Sequence, residues 1–174
     1  DAIGLHLIDE RYLIAYVLDV SGHGVPAALL SVSAMHSLEP SAASISLLRN
    51  LKDPGGELGT VRRPSEVALE LNRRFRPGEN DGRYMTMILC VLDTQTGRLH
   101  YTCAGHFPPL VLRHGLSIEV PDAGGFPIST MDDAEFEDGC LTLQPGDRVC
   151  LYSDGIIEQL HASQDDQYGM VRFL

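Results

Sequence analysis

The chain has 174 residues, 44% hydrophobic and 21% charged, the balance of an ordinary globular domain and not of a disordered one. Its 13 Lys and Arg against 24 Asp and Glu leave a net charge of −11, which argues against any broad basic surface for nucleic acid. The longest unbroken apolar run, Tyr12 to Leu18, is seven residues, far short of the roughly 20 that span a bilayer, so no membrane contact is expected. The length suits one domain over residues 1–174. The chain opens on Asp1 without a charged-then-apolar leader, and is read as a piece of a longer cytoplasmic protein.

In chain order, residues 3–19 hold two apolar runs around Asp9-Glu-Arg11, the pattern of a hairpin whose second strand is buried on both faces. Asp19-Val-Ser-Gly-His-Gly24 follows, then helical composition from Val25 to Leu38 with Pro26 in the first turn, where its missing N–H costs nothing. Residues 39–63 show no sustained period and read as a variable connection, with helical character at Ser44 to Leu51 and turn residues at Asp53-Pro-Gly-Gly56. A second helix is expected after Pro64, with Ser65 as its N-cap and Val67, Ala68, Leu71 and Phe75 on one face. Arg62-Arg63 and Arg73-Arg74 read as solvated faces.

From Tyr84 the texture becomes β. Met85–Leu92 and Arg98–Ala104 form one expected hairpin, Leu110–Arg113 and Leu116–Val120 a second around His114-Gly115. Phe136–Leu143 and Arg148–Ser153 form a third around Gln144-Pro-Gly-Asp147. A short helix runs from Gly155 to Leu160. This order predicts an α+β layering of mainly antiparallel sheets covered by helices. Cys90, Cys103, Cys140 and Cys150 contain no C-x-x-C pair and read as small buried thiols, in keeping with a reducing compartment.

Aspartate stands beside a strand three times: Asp1 before the first, Asp19 at the end of the second, and Asp154 in Leu-Tyr-Ser-Asp-Gly-Ile-Ile-Glu158. A carboxylate leaving a sheet edge next to glycine can meet a ligand closely. Oxygen donors without neighbouring thiols suit Mg²⁺ or Mn²⁺. Each instance alone is an ordinary turn; strand–Asp–helix occurring twice is the stronger signal.

Four segments, Leu18-Asp-Val-Ser-Gly-His-Gly-Val-Pro-Ala-Ala-Leu29, Ala104-Gly-His-Phe-Pro-Pro-Leu110, Gln144-Pro-Gly-Asp147 and Leu151-Tyr-Ser-Asp-Gly-Ile-Ile-Glu158, together resemble the SpoIIE-like phosphatases. These are the bacterial branch of the metal-dependent PPM (protein phosphatase 2C-like) family. The resemblance covers most of the chain and implies an αββα sandwich, here C-terminally incomplete. It implies two divalent cations, Mn²⁺ or Mg²⁺, held by Asp1, Asp19, the Val20 carbonyl and Asp154. Asp19 and Asp154 would be catalytic through a cation-activated water. A fourth family aspartate, from a later strand, would lie beyond Leu174; Asp165-Asp166 reads as a loop.

His23, flanked by Gly22 and Gly24, is a candidate catalytic residue set against a turn role. His106 is set likewise between a structural and a substrate-side role. Glu158 faces or caps the helix after Asp154, and Met85 and Thr86 read as core and ladder. Gly4 departs from the family, which often carries Asp or Asn there. The implied substrate is phosphoserine or phosphothreonine on a STAS-type anti-sigma-factor antagonist, with an upstream sensory or receiver domain in the same chain. An unpaired sheet edge would offer a surface for a homodimer. The alternatives are a catalytically weak or inactive binding module of the same fold, and a nucleotide- or phosphate-binding protein using Gly22-His-Gly24, which lacks a P-loop lysine.

Overall fold

The structure is a computed structural model that describes residues 1–41, 46–50, 57–113, 117–119, 121, 124–160 and 167–173. It opens with the antiparallel hairpin β1 (Ala2–Ile8) and β2 (Tyr12–Val20). Asp9 and Glu10 both take positive φ, 52° and 56°, and the Arg11 N–H returns to the Ile8 carbonyl at 3.2 Å. Left-handed backbone at both central residues matches the right-handed twist of the paired strands. No residue of β2 is exposed, as its unbroken apolar run requires.

Two helices follow, α1 (Val25–Ser37) and α2 (Pro64–Arg74). Pro26 stands in the first turn of α1. The N-cap of α2 is Arg63 and not Ser65. Ser65 lies inside the first turn, where its N–H and hydroxyl both donate to the Asp138 carboxylate at 2.7 and 2.8 Å. One free N–H of the helix start is thus met by a carboxylate 73 residues away in sequence, a partner that local spacing cannot reveal. Residues 46–50 are not helical; Arg49 bridges Val61 instead. The rest of the helix expected at 44–51, and the turn expected at 53–56, lie outside the described residues.

The remaining strands are β3 (Met85–Asp93), β4 (Arg98–Ala104), β5 (Leu110–Arg113), β6 (Ser117–Glu119), β7 (Gly139–Thr142) and β8 (Arg148–Cys150). The first two expected hairpins, β3–β4 and β5–β6, are present. The third is not. β7 pairs with β4 and β8 with β5, so the segment 136–153 feeds two sheets. The sheets run β1-β2-β3-β4-β7 and β6-β5-β8, with all named strands antiparallel. The turn at Gln144–Asp147 is tight, with Asp147 N–H to Gln144 O at 3.0 Å. It acts as a corner between sheets because Leu141 and Leu143 before it, and Val149 and Leu151 after it, all point into one apolar layer.

Each face of the larger sheet has its own core. On one, Ile14, Leu18, Met87 and Leu89 meet Ala34 and Leu38 of the α1 end and Val67 and Leu71 of α2, all 0% exposed. On the other, Val17, Ile88, Cys90, Leu99, Tyr101 and Cys103 pack against Val149 and Leu151. Burying each such large side chain is worth roughly 1.5–3 kcal/mol. The layers are therefore helix, sheet, sheet, with single turns at α3 (Asp154–Ile157) and α4 (Met170–Phe173). The helix expected at 155–160 is thus a shorter one that starts at Asp154 itself. No helix among the described residues is long and apolar enough to cross a membrane.

Cys90 and Cys103 are buried, but Cys140 is exposed because it occupies the outer face of the edge strand β7; all four thiols are free. On both edges of the larger sheet a glycine faces a tyrosine across the ladder, Gly4 opposite Tyr16 and Gly139 opposite Tyr101. Each ring fills the space a side chain would need, lying 2.2 and 2.1 Å from the Cβ an added methyl would occupy.

Candidate functional site

A cleft of about 590 Å³ opens where β1 begins, β2 ends and α3 starts. Asp1, Asp19, Asp154 and Glu158 bring four carboxylates to it. The β1–β2 register pairs Ala2 with Leu18, which sets Asp1 beside Asp19; the Asp1 backbone nitrogen lies 3.6 Å from Asp19 Oδ1. The Ser153 hydroxyl donates to Asp1 Oδ2 at 2.6 Å, tying the start of the chain to the approach to α3, 152 residues later. The side chain of Asp19 keeps 28% of its surface exposed and that of Asp1 45%, so both carboxylates remain reachable.

The turn after β2 is fastened to the start of β3. The Ser21 N–H donates to the Tyr84 carbonyl and the Tyr84 N–H to the Ser21 hydroxyl, both at 2.9 Å. Gly22 and Gly24 take φ of 86° and 84°, a left-handed backbone that glycine adopts without strain. Val20, the implied carbonyl ligand, lines the cleft. His23 sits exposed between the two glycines and is not among the lining residues.

His106 does line the cleft. It is 9% exposed, with Nδ1 3.3 Å from the Phe107 carbonyl. Burial pushes its pKa below the ordinary value, against the opposing pull of that carbonyl and of Asp154. Thr86, read from sequence as core and ladder, faces the cleft instead, because β3 places it directly across from Asp19. Tyr84, Ser153 and Phe107 also contribute at or near the cleft and were not singled out from sequence. Only the β2–β3 register could have exposed Thr86. Asp165-Asp166 lies outside the described residues.

Among the described residues, no three His, Cys, Asp or Glu side chains converge into a ready metal cage. The donor chemistry nevertheless fits a hard divalent cation: four carboxylates and no thiol stand on the wall, with one imidazole, His106, beside them. The cleft lining also carries no Lys or Arg among the described residues. An anionic ligand would meet four carboxylates there without a compensating charge.

The family model for Stage II sporulation protein E (SpoIIE) matches residues 9–174. Among curated proteins, phosphoserine phosphatase RsbP of Bacillus subtilis is 28% identical over 158 residues, 91% of this chain and 36% of that protein. Phosphoserine phosphatase RsbU of the same organism is 24% identical over 151 residues, 86% of this chain and 40% of that protein. The chain thus spans well under half the length of these curated relatives. Among solved structures, the SiaA-PP2C domain of Pseudomonas aeruginosa superposes with a TM-score of 0.76 at 19% identity, covering 98% of this chain and 62% of that one. The PP2C phosphatase domain of SpoIIE from Bacillus subtilis gives 0.71 at 21% identity, covering 90% and 42%. The architecture is accordingly that of PP2C-type phosphatase domains, and the chain belongs to the SpoIIE family.

Proposed function

We propose that the chain is the phosphatase module of a bacterial partner-switching protein, hydrolysing phosphoserine or phosphothreonine on a partner with the help of two divalent cations, Mn²⁺ or Mg²⁺. The observation that carries this reading is the cleft itself. Asp1, Asp19 and Asp154, drawn from three distant segments, all line it, and no basic residue does among those described. A chain of net charge −11 can hold a phosphate there only through added positive charge. The naming of RsbP and RsbU as phosphoserine phosphatases supports the same conclusion.

Bound between these carboxylates, cations would neutralise phosphoryl oxygens and acidify a water for in-line attack. Asp19 stands centrally, beside Asp1 and opposite Thr86, and is assigned to both cations. Asp1, oriented by the Ser153 hydroxyl, Asp154 and the Val20 carbonyl complete the proposed set. Thr86 and Tyr84 shape the wall facing the substrate. The proposed partner is a phosphorylated STAS-type antagonist, with the docking of a folded surface and not the open cleft setting specificity. Asp19→Asn keeps the shape and removes the charge. Mn²⁺-stimulated turnover of a phosphoserine substrate should fall by about a hundredfold or more, the scale of losing a preorganised charge at the reacting phosphoryl group, with folding intact. Equal turnover by the two proteins would overturn the assignment.

A further inference from the structure

At the cleft, the larger sheet sorts its chemistry by strand. In the order β1-β2-β3-β4, the cleft receives Asp1 before β1, Asp19 and Val20 at the end of β2, Tyr84 before β3, and His106 and Phe107 after β4. The carboxylates that the sheet supplies therefore stand on the β1–β2 side, and the rings on the β3–β4 side. Ile157, from α3, adds apolar surface to the same cleft.

Tyr84 is a fixed backbone carrying an open side chain. Its N–H and carbonyl are both fastened to Ser21, while the residue is 41% exposed. Among the described residues its hydroxyl makes no hydrogen bond. Thr86, directly across from Asp19, follows two residues later, so Tyr84 takes the same side of the chain, about 7 Å along it. Phe107 is held in place by stacking on Tyr152 at 5.3 Å and by meeting His106 edge-on at 5.9 Å. Aromatic side chains on fixed backbone lose little freedom when a partner covers them.

The reaction decides what comes to lie there. A phosphoryl group with two cations takes the room of a few waters, each about 30 Å³, which leaves most of the cleft's 590 Å³ free. Adjacent residues of an extended chain are about 3.3 Å apart, so a phosphoresidue seated at Asp19 brings its neighbours within reach of Tyr84. We infer that Tyr84, Phe107 and Ile157 form an apolar subsite that takes an uncharged, apolar side chain standing next to the phosphoresidue on the partner. The subsite is the place where the partner's docked surface enters the cleft. It selects by apolar area, which these three residues supply, and not by charge, which they lack.

This inference rests on the phosphatase reading for its substrate, and two arms keep the two apart. The first measures, by fluorescence anisotropy at millimolar Mn²⁺, the affinity of labelled peptides carrying a non-hydrolysable phosphonate in place of phosphoserine, flanked on either side by Ser, Leu or Arg. The second measures KM and kcat for hydrolysis of the matching phosphoserine peptides. Wild type should bind the Leu peptides about tenfold more tightly than the Ser peptides, the scale of burying one apolar side chain, and the hydrolysis arm should show the difference in KM and not in kcat. Tyr84→Ala and Ile157→Ala should each cut that ratio to about threefold or less, and Tyr84→Phe, which keeps the ring, should retain it. The readout is a ratio within each protein, so a loss of stability or of overall activity does not imitate it. Equal binding of Leu and Ser peptides by wild type, tighter binding of the Arg peptides, or a Leu preference unmoved in Tyr84→Ala overturns the inference. A Tyr84-dependent Leu preference without hydrolysis of any peptide would sink the phosphatase reading and leave the subsite standing.

Discussion

Gly4→Ala tests whether the departure from the family at this position is a structural exchange. An alanine Cβ at residue 4 would lie 2.2 Å from both Cε1 and Cζ of Tyr16, more than about 1 Å inside the closest comfortable carbon contact. To make room the ring would have to leave its place, where Tyr16 is 2% exposed and stacks on His6 at 5.9 Å. Gly4 has no positive φ, so the substitution carries no backbone strain and would otherwise gain about 0.5–1 kcal/mol from reduced chain entropy. Overpacking of this kind costs about 1–3 kcal/mol, so after that gain a net loss of about 1 kcal/mol is expected, or roughly 2–4 °C in melting temperature for a chain this size. Tyr16→Ala alone should cost about 3–5 kcal/mol through the cavity it leaves. The double variant should cost clearly less than the sum, with a coupling of about 1–2 kcal/mol. Urea denaturation of the four proteins measures the cycle. A neutral or stabilising Gly4→Ala, or strict additivity, would refute the argument that Tyr16 occupies the side-chain space of residue 4.

Two further outcomes follow from buried groups away from the cleft. The Asp93 carboxylate is held well below the usual range, chiefly by Arg11, which donates from Nε and Nη2 at 3.0 and 2.7 Å, with help from Thr96 and the Gln95 N–H. A depressed carboxylate stabilises the fold above its unfolded value near 4 and loses that contribution as pH falls below about 4. Urea midpoints between pH 7 and 3 should therefore drop steeply in wild type and less so in Asp93→Asn, which starts lower; parallel curves would contradict this. Burial pushes the Cys103 thiol up to about 12 and that of Cys90 higher still, so at pH 8 iodoacetamide should label exposed Cys140 and spare both in the folded chain. Mass spectrometry reads this directly, and equal labelling of Cys103 and Cys140 would count against the burial assigned to Cys103.

Much of this molecule was legible in one dimension, because alternation and helical spacing are local properties. The β1–β2 and β3–β4 hairpins, α1 with Pro26 in its first turn, and the three strand-edge aspartates all follow from residues within a few positions of one another. Tertiary structure decided what depends on partners far along the chain. Ser65 does not cap α2, because Asp138 arrives from a different segment to do so. The segment 136–153 is not a hairpin, because β4 and β5 offer its two strands separate edges, in two sheets that close on one shared apolar layer. Thr86 belongs to the cleft through its register against Asp19, and the Ser21–Tyr84 hydrogen bonds draw the turn after β2 onto the start of β3. Sequence spacing determines which face a side chain takes within its own element. Which surface that face then meets is settled only when distant elements compete to bury the same apolar area and to satisfy the same polar groups.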